Sequence, residues 1–221
     1  MQTKRIISWG VALLPLVATL VMLPILPDRV PMHFDFSGNI TRYGSKYEMF
    51  ILPALTILIG LTFPLMEKSV IKQDGEKGIQ NAKVLYWCGI IISLIFLALT
   101  ILIAYTGYND TQNINAGIDV LRVVAVCLSI SYIIIGNLLP KCKQNFLVGI
   151  RTIWTLSCET SWYKTHRFGG KVMLIFGIIS ALLSLFVFDG FISLLISTGG
   201  LALVTILVII YSYYVYKQEA E

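Results

Sequence analysis

Residues 84–106, "VLYWCGIIISLIFLALTILIAYT", contain no charged side chain. A helix needs about 20 apolar residues to cross the hydrocarbon core of a bilayer, and its backbone polar groups must be satisfied internally. The stretch therefore predicts a transmembrane helix. Similar apolar runs predict five more spans, at residues 6–26, 49–66, 118–139, 172–188 and 191–216. We predict an all-α integral membrane protein with six transmembrane helices.

The composition of the whole chain agrees with a membrane protein. Hydrophobic residues make up 57% of the 221 residues and charged residues 13%, and the mean hydropathy is +0.80. A chain this apolar has too little polar surface to coat a soluble globule. The first run follows Lys4 and Arg5, as in a signal peptide, but it is longer than an ordinary signal-peptide core and no A-x-A-like cleavage site follows. We therefore expect it to be retained as the first helix.

The distribution of lysine and arginine predicts the orientation of the chain. With the N-terminus inside, thirteen of these residues fall on the cytoplasmic side, whereas the outer loops hold only Arg29, Arg42 and Lys46. We predict that both termini are cytoplasmic. The net charge of +5 is then the usual cytoplasmic excess, attracted to the lipid bilayer, and it requires no direct nucleic-acid partner.

The first outer loop, residues 26–46, has a pattern of its own. From Val30 to Ser37, apolar and polar residues alternate. A period of two predicts a short extended segment with one apolar face, and Ser37-Gly38-Asn39 supplies a turn. We expect this segment to cover the outer mouth of the helix bundle.

A long polar interruption, residues 140–171, separates the fourth and fifth predicted helices on the cytoplasmic side. Pro140 is expected to end the fourth helix. Residues 145–156 mix apolar and polar side chains, as in a segment at the membrane interface. Ser157 is predicted to cap a further helix, in which Glu159 occupies the favourable first turn.

That further helix would place three polar or aromatic residues on one face, because Glu159, Trp162 and His166 recur at helical spacing. Trp154 and Trp162 are expected to anchor the loop among the lipid headgroups. The polar residues around them are expected to form a hydrogen-bonded network beneath the bundle, with Arg151 and Glu159 as a charged pair.

Polar residues near the ends of the fourth helix have alternative interpretations. Asp119 and Arg122 lie one turn apart near the outer edge. An ion pathway, as in a small transporter or channel, is one interpretation, because ionisable groups in spans are costly. An intrahelical ion pair that reaches the headgroups is the interpretation we favour. Asn137 is expected to form a hydrogen bond to another helix.

The sequence gives little support for catalysis. His33 and His166 fall on opposite sides of the membrane in the predicted topology, and neither belongs to the paired-histidine motif of zinc proteases. The chain contains no G-x-S-x-G and no phosphate-binding glycine motif. The four cysteines form no C-x-x-C pair and are expected to be reduced. We predict no metal, no cofactor and no catalytic residue; a membrane enzyme built around either histidine is the third interpretation.

Residues 136–171 closely resemble the motif region of the SdpI family of bacterial membrane immunity proteins. The family pattern, roughly G-N…P…N-x-x-x-G-I-R-T-x-W-T-L…E…W…T-H-R-x-G-G, is matched in order at Gly136, Asn137, Pro140, Asn145, Gly149, Ile150, Arg151, Thr152, Trp154, Thr155, Leu156, Glu159, Trp162, Thr165, His166, Arg167, Gly169 and Gly170. The N-terminal part resembles the small domain of unknown function that often precedes this motif, at Pro27, Pro31, His33, Gly38 and Lys46.

The resemblance implies a division of the chain and a function. Residues 1–83 would form an N-terminal two-span region, and residues 84–221 an SdpI-like four-span region. The family implies a multi-pass protein of the bacterial cytoplasmic membrane that gives immunity to a secreted, membrane-active peptide toxin by binding, not by enzymatic activity. In the founding system the immunity protein also holds a small ArsR-type repressor at the membrane, which makes such a repressor a candidate cytoplasmic partner.

Overall fold

The computed structural model describes residues 2–35, 37, 39–111 and 119–220. Its helices and strands are α1 (Gln2–Met22), β1 (Arg29–Phe34), β2 (Ile40–Ser45), α2 (Ile51–Thr111), α3 (Val120–Leu138), α4 (Ile153–Ser157), α5 (Glu159–Phe186) and α6 (Gly190–Ala220). Short 3-10 helices at Lys46–Phe50 and Leu139–Lys141 precede α2 and follow α3. All the helices except the short α4 and the 3-10 helices are long and apolar enough to cross a membrane. The predicted all-α membrane class is therefore confirmed.

The long helix α2 contains a sharp reversal. Gly75 has φ 56° and ψ −122°, outside the helical region. A side-chain carbon on Gly78 would lie 2.3 Å from the carbonyl oxygen of Val70, so the chain folds back on itself here. The predicted runs 49–66 and 84–106 lie on the two arms of α2, before and after Gly75. The polar connection expected between them is itself helical on both sides of the break, because Lys, Gln and Glu favour helix.

The strands β1 and β2 form an antiparallel hairpin that packs against α2. Val30 of β1 is fully buried and belongs to an apolar cluster with Leu26, Met49 and Ala104. The extended segment predicted from the period-two pattern is therefore confirmed, and its apolar face contacts the helices.

The turn of the hairpin is organised by a carboxylate. The backbone N–H groups of Ser37 and Asn39 both donate to Asp35 Oδ1, at 2.8 Å. Aspartate commonly organises turns in this way, because its side chain replaces a backbone acceptor. Gly38, which the sequence analysis also assigns to this turn, lies outside the described residues.

Helices α3 and α5 pack at backbone contact along a row of small residues. A side-chain carbon on Gly136 would lie 2.6 Å from the backbone nitrogen of Leu174, and one on Gly177 would lie 2.8 Å from the carbonyl oxygen of Ser129. Ser129 Oγ also donates to Ser180 Oγ at 2.8 Å. Small residues permit this approach, which in a bilayer brings van der Waals contact and interhelical hydrogen bonds.

Helix α5 begins at Glu159 and not at residue 172, where the apolar run begins. From the sequence, the preceding polar residues are expected to form a separate loop helix. The structure joins the two into one helix that continues through Gly169 and Gly170. Both glycines face close neighbours, so packing and not a bend accounts for them.

Asp119 connects the beginnings of α3 and α6. It is the N-cap of α3, where its Oδ1 accepts the backbone N–H of Arg122 at 3.1 Å, and its Oδ2 accepts the backbone N–H of Gly190 at 2.5 Å. The Arg122 side chain lies 3.8 Å from Asp119 and 3.9 Å from Asp189. The favoured ion pair is present, and it forms part of a connection between two helix ends.

Candidate functional site

The loop between α3 and α5 folds into a compact unit, the plug (residues 142–158), against the helix ends. Trp162 and His166 of α5 face it and are 2% and 1% exposed. Their rings stack with centroids 4.1 Å apart and an interplanar angle of 19°. Trp162 Nε1 donates to the carbonyl oxygen of Cys142 at 3.0 Å. Trp162 is thus a core residue, and the expectation that it anchors the loop among lipid headgroups is wrong.

His166 links α5 to the plug through both ring nitrogens. Nε2 accepts the backbone N–H of Ile150 at 2.9 Å. Nδ1 lies 2.9 Å from the carbonyl oxygen of Trp162, an acceptor, so Nδ1 carries the proton and donates it. The geometry therefore requires a neutral imidazole, and both of its nitrogens are occupied in holding the backbone.

Gly149 permits the approach of the ring pair to the plug. Its φ is 117°, a conformation that residues with a Cβ rarely adopt. A Cβ at this position would lie 2.4 Å from His166 Nε2 and 3.0 Å from the Trp162 ring. Both the backbone conformation and the space require glycine here.

Asn145 determines the course of the first half of the plug. Its Oδ1 accepts the N–H groups of Leu147 and Val148, each at 2.7 Å. Its Nδ2 donates to the carbonyl oxygens of Lys143 and Val148, at 2.7 and 3.0 Å. Because Asn145 is buried and its amide is satisfied by backbone groups, it has a structural role that an apolar residue could not replace.

Thr152 and Thr155 form a reciprocal cap at the start of α4. Thr152 Oγ1 accepts the N–H of Thr155 at 3.1 Å, and Thr155 Oγ1 accepts the N–H of Thr152 at 3.0 Å. The Thr155 hydroxyl also donates to the carbonyl oxygen of Ile150 at 2.8 Å. This arrangement satisfies donors at the beginning of a helix only five residues long.

A buried serine of α6 connects the plug to that helix. Ser212 Oγ lies 3.2 Å from Thr152 Oγ1, and the Ser212 carbonyl oxygen accepts from Ser161 Oγ at 3.2 Å. Nearby, the rings of Trp154 and Tyr213 lie 5.1 Å apart. Sequence reasoning missed Ser212, whose only signal is that it is a polar residue within an apolar run.

Helix α2 contributes the side chains of Asn81 and Lys77 to the contacts around the plug. Asn81 is fully buried and accepts the backbone N–H of Lys143 at 2.8 Å. Lys77 pairs with Glu159 at 2.7 Å, so the predicted pairing of Glu159 with Arg151 is wrong. Arg151 is exposed. Sequence reasoning missed both α2 residues, because they belong to a polar connection that looked solvated.

Two other predicted residues differ in detail from expectation. Glu159 is exposed and does not share the buried face of Trp162 and His166, because in the first turn it extends toward Lys77. Cys158, and not Ser157, caps α5, with its Sγ accepting the N–H of Ser161 at 3.4 Å.

Two further predicted residues have different environments. Asn137 is exposed and makes no hydrogen bond to another helix among the described residues, so that expectation is wrong; the buried amide of Asn81 accepts from the plug backbone at Lys143. Thr165 is fully buried, and its hydroxyl is without a hydrogen-bond partner in the part of the chain that the structure describes. A Cβ on Gly169 would lie 2.9 Å from Ile150 and 3.2 Å from Val208, so it lets α5 and α6 enclose the plug.

The predicted residues of the outer loop lie together in and beside the hairpin. Pro31 is buried in β1 opposite Tyr43, and Pro27 precedes the strand. His33 Nδ1 contacts Thr41 Oγ1 across the strands at 2.5 Å. Lys46 pairs with Asp28 at 3.1 Å and closes the base of the hairpin.

The described titratable groups form no cluster of metal ligands. Within residues 2–35, 37, 39–111 and 119–220, no three His, Cys, Asp or Glu side chains gather as metal ligands. Burial raises the pKa of the Cys142 thiol to about 12, so it stays protonated and unreactive near neutral pH. The plug holds a fixed backbone and exposes some of its side chains to contact with other molecules.

Those side chains give the plug an exposed apolar surface. Phe146 and Ile153 are 72% and 75% exposed, and Arg151 lies between them in sequence. The buried residues of the motif therefore build the scaffold, and its exposed residues are available for contact with lipid or protein.

Comparison with known proteins identifies two matched segments of the chain. Residues 141–214 match the SdpI/YfhL protein family, and residues 10–57 match the domain of unknown function DUF1648. The chain is 29% identical to Immunity protein SdpI of Bacillus subtilis (strain 168) over 214 residues, which is 96% of each chain. No solved structure matches. The predicted resemblance to the SdpI family, with the N-terminal domain that often precedes it, is confirmed.

Proposed function

We propose that this multi-pass membrane relative of Immunity protein SdpI protects the cell that makes it against a secreted, membrane-active peptide toxin. The observation that carries the proposal is the alignment with that protein, which leaves out almost none of either chain. The contact between α5 and the plug supports a mechanism by binding, because the buried His166 and Trp162 of α5 are occupied with backbone groups. The protein would lie in the bacterial cytoplasmic membrane, without enzymatic activity.

We further propose six crossings with both termini in the cytoplasm. The reversal at Gly75 supports this count. At 1.5 Å per residue, the arms of residues 51–74 and 76–111 have lengths of about 36 and 54 Å, and each exceeds a hydrocarbon core of about 30 Å. The hairpin would then lie outside and the plug inside.

Cysteine labelling tests this topology. In a background without the native cysteines, Tyr43→Cys in the hairpin should react with a membrane-impermeant maleimide added to intact cells. Gln73→Cys beside the Gly75 reversal should react only after permeabilisation. Labelling of both positions from the same side would contradict the proposed topology.

The immunity proposal predicts that the plug is essential for protection. In a Bacillus subtilis strain from which Immunity protein SdpI has been removed, we expect this chain to restore survival beside the toxin-producing parent. Gly149→Ala should abolish that survival, because a Cβ would meet His166 and Trp162. Gly10→Ala is the matched control, since nothing lies within 4 Å of a Cβ there.

Both variants must reach the membrane in equal amounts for this comparison. Lack of protection by the unsubstituted chain, at a membrane level equal to that of the native immunity protein, would contradict the proposal. Equal protection by Gly149→Ala would show that the plug is not required.

The finer part of the proposal is that the plug docks a cytoplasmic ArsR-type repressor while toxin occupies the outer hairpin. The exposed Phe146, Arg151 and Ile153 support a protein-binding surface on the plug. Repressor should co-sediment with membranes that contain the chain when toxin is present, and Phe146→Ser with Ile153→Ser should release it. A repressor that stays in the supernatant with and without toxin would contradict the signalling part alone.

A further inference from the structure

A groove lies where the beginning of α1 meets the two arms of α2 near the Gly75 reversal. Its volume is about 470 Å³, within the range of about 300 to 1,000 Å³ that small-molecule sites occupy. None of its lining residues belongs to the plug. We call it the basic groove.

The wall of the basic groove is mainly apolar. Pro64 and Ile71 line it from the first arm of α2, and Ile79, Ala82 and Tyr86 from the second arm. Ile79 is half exposed, so part of this wall lacks cover from the chain itself. An apolar channel open to the surroundings would accept a hydrocarbon chain.

The rim of the basic groove is cationic. Lys4 and Arg5 from α1, Lys68 from the first arm and Lys83 from the second arm line it, together with one carboxylate, Glu67. The net charge of these side chains is +3 near neutral pH. Among the described ion pairs, none uses any of the four cations.

One cation is already oriented toward the groove. Lys4 Nζ lies 5.6 Å from the centre of the Tyr86 ring. A cation–π contact holds the ammonium at the apolar wall and leaves its N–H groups free to donate. The groove thus combines an oriented positive charge with an apolar surface beside it.

We propose that the basic groove binds an anionic phospholipid, with the phosphate among Lys4, Lys68 and Lys83 and an acyl chain along the Ile71–Ile79 wall. Clustered Lys and Arg between helices at the membrane surface attract anionic headgroups. A soluble acidic peptide would satisfy the charges and leave the apolar wall in water. A zwitterionic lipid would satisfy the wall and add a positive group to a positive rim. This inference is independent of the toxin proposal.

Binding of defined lipids to the purified full-length chain in neutral detergent tests the inference. Short-chain phosphatidylglycerol and phosphatidylcholine with identical acyl chains are titrated, and the retained lipid is measured by native mass spectrometry. Phosphatidylglycerol should bind about tenfold more tightly or better. The triple variant Lys4→Gln, Lys68→Gln, Lys83→Gln should reduce this preference to near unity.

Matched variants separate the groove from general charge attraction. Lys141→Gln, Lys143→Gln, Lys171→Gln removes the same charge from exposed positions outside the groove and should leave the preference unchanged. Ile79→Gln should weaken binding of both lipids alike, because it removes only the apolar contact, whereas Ile79→Glu should also reduce the preference for phosphatidylglycerol, because it adds a negative charge without loss of a lysine.

Several outcomes would overturn the inference. These are equal binding of the two lipids, an unchanged preference in the groove variants, or an equal loss in the control triple variant. Displacement of bound phosphatidylglycerol by inorganic phosphate or polyglutamate, as effective as that by free phosphatidylglycerol, is a further such outcome. That result would also overturn the inference, because those two ligands have no acyl chain.

Discussion

His166 shows how a single neutral side chain can hold a loop in place. Its ring stacks on Trp162 and uses one nitrogen as acceptor and the other as donor. From the sequence, this residue could be assigned to a helix and to a polar network. Its burial and tautomer could not be predicted, because they depend on Ile150, sixteen positions earlier in a loop without regular structure.

Replacing His166 should destabilise the fold locally. His166→Ala leaves the Ile150 N–H without an acceptor and opens a cavity beside Trp162, at an expected cost of about 2–4 kcal/mol in the free energy of unfolding. Thermal unfolding of the purified protein in detergent measures the loss. His33→Ala on the exposed hairpin is the control and should change stability little; equal losses for both would contradict the assignment of His166 to the core.

Among the elements, apolar periodicity and composition predicted the helices better than the connections. The run at 172–188 was predicted, but the thirteen residues of α5 before it were predicted as a separate helix, with a bend or close packing at Gly169 and Gly170, because they are polar. The apolar parts of the two arms of α2 were likewise predicted. The helical conformation of the polar residues between them was not. Polar residues indicate where a helix leaves the lipid, whereas helix propensity decides where the helix ends. These two positions differ in both α2 and α5.

The backbone contact between α3 and α5 predicts how a substitution at Gly177 affects stability. Gly177→Ala should destabilise the protein by about 1–3 kcal/mol, because the new methyl group meets the backbone of α3. Gly199→Ala in α6 makes the same gain in helix propensity with nothing within 4 Å, and it should be neutral or stabilising. The melting temperatures of the two variants test this prediction. An unchanged melting temperature for Gly177→Ala would mean that α3 and α5 are not in backbone contact.

Across the whole molecule, the N-terminal part and the SdpI-like part are joined at the plug by Asn81 and by the pair of Lys77 with Glu159. The proposed division at residue 83 therefore separates two regions that share a hydrogen bond from the Lys143 N–H to the buried Asn81 side chain. The sequence could predict each region from its own pattern, but not this connection, because the bond joins residues 62 positions apart.

Breaking that bond should loosen the plug and spare the hairpin. Asn81→Ala removes the acceptor of the Lys143 N–H and the buried amide, at an expected cost of about 1–3 kcal/mol. Hydrogen exchange followed by mass spectrometry should show faster exchange in peptides covering residues 142–150, with peptides of β1 and β2 unchanged. Faster exchange throughout the chain, or none, would contradict a local connection.

The uninterrupted course of α5 has a mechanical consequence. At 1.5 Å per residue its 28 residues measure about 42 Å, roughly 12 Å more than a hydrocarbon core of about 30 Å. Trp162 and His166 lie near its beginning, on the same uninterrupted helix as Phe186 at its end. A small tilt of α5 at its C-terminal end would therefore displace the stacked rings near its N-terminal end, because no break in the helix lies between them.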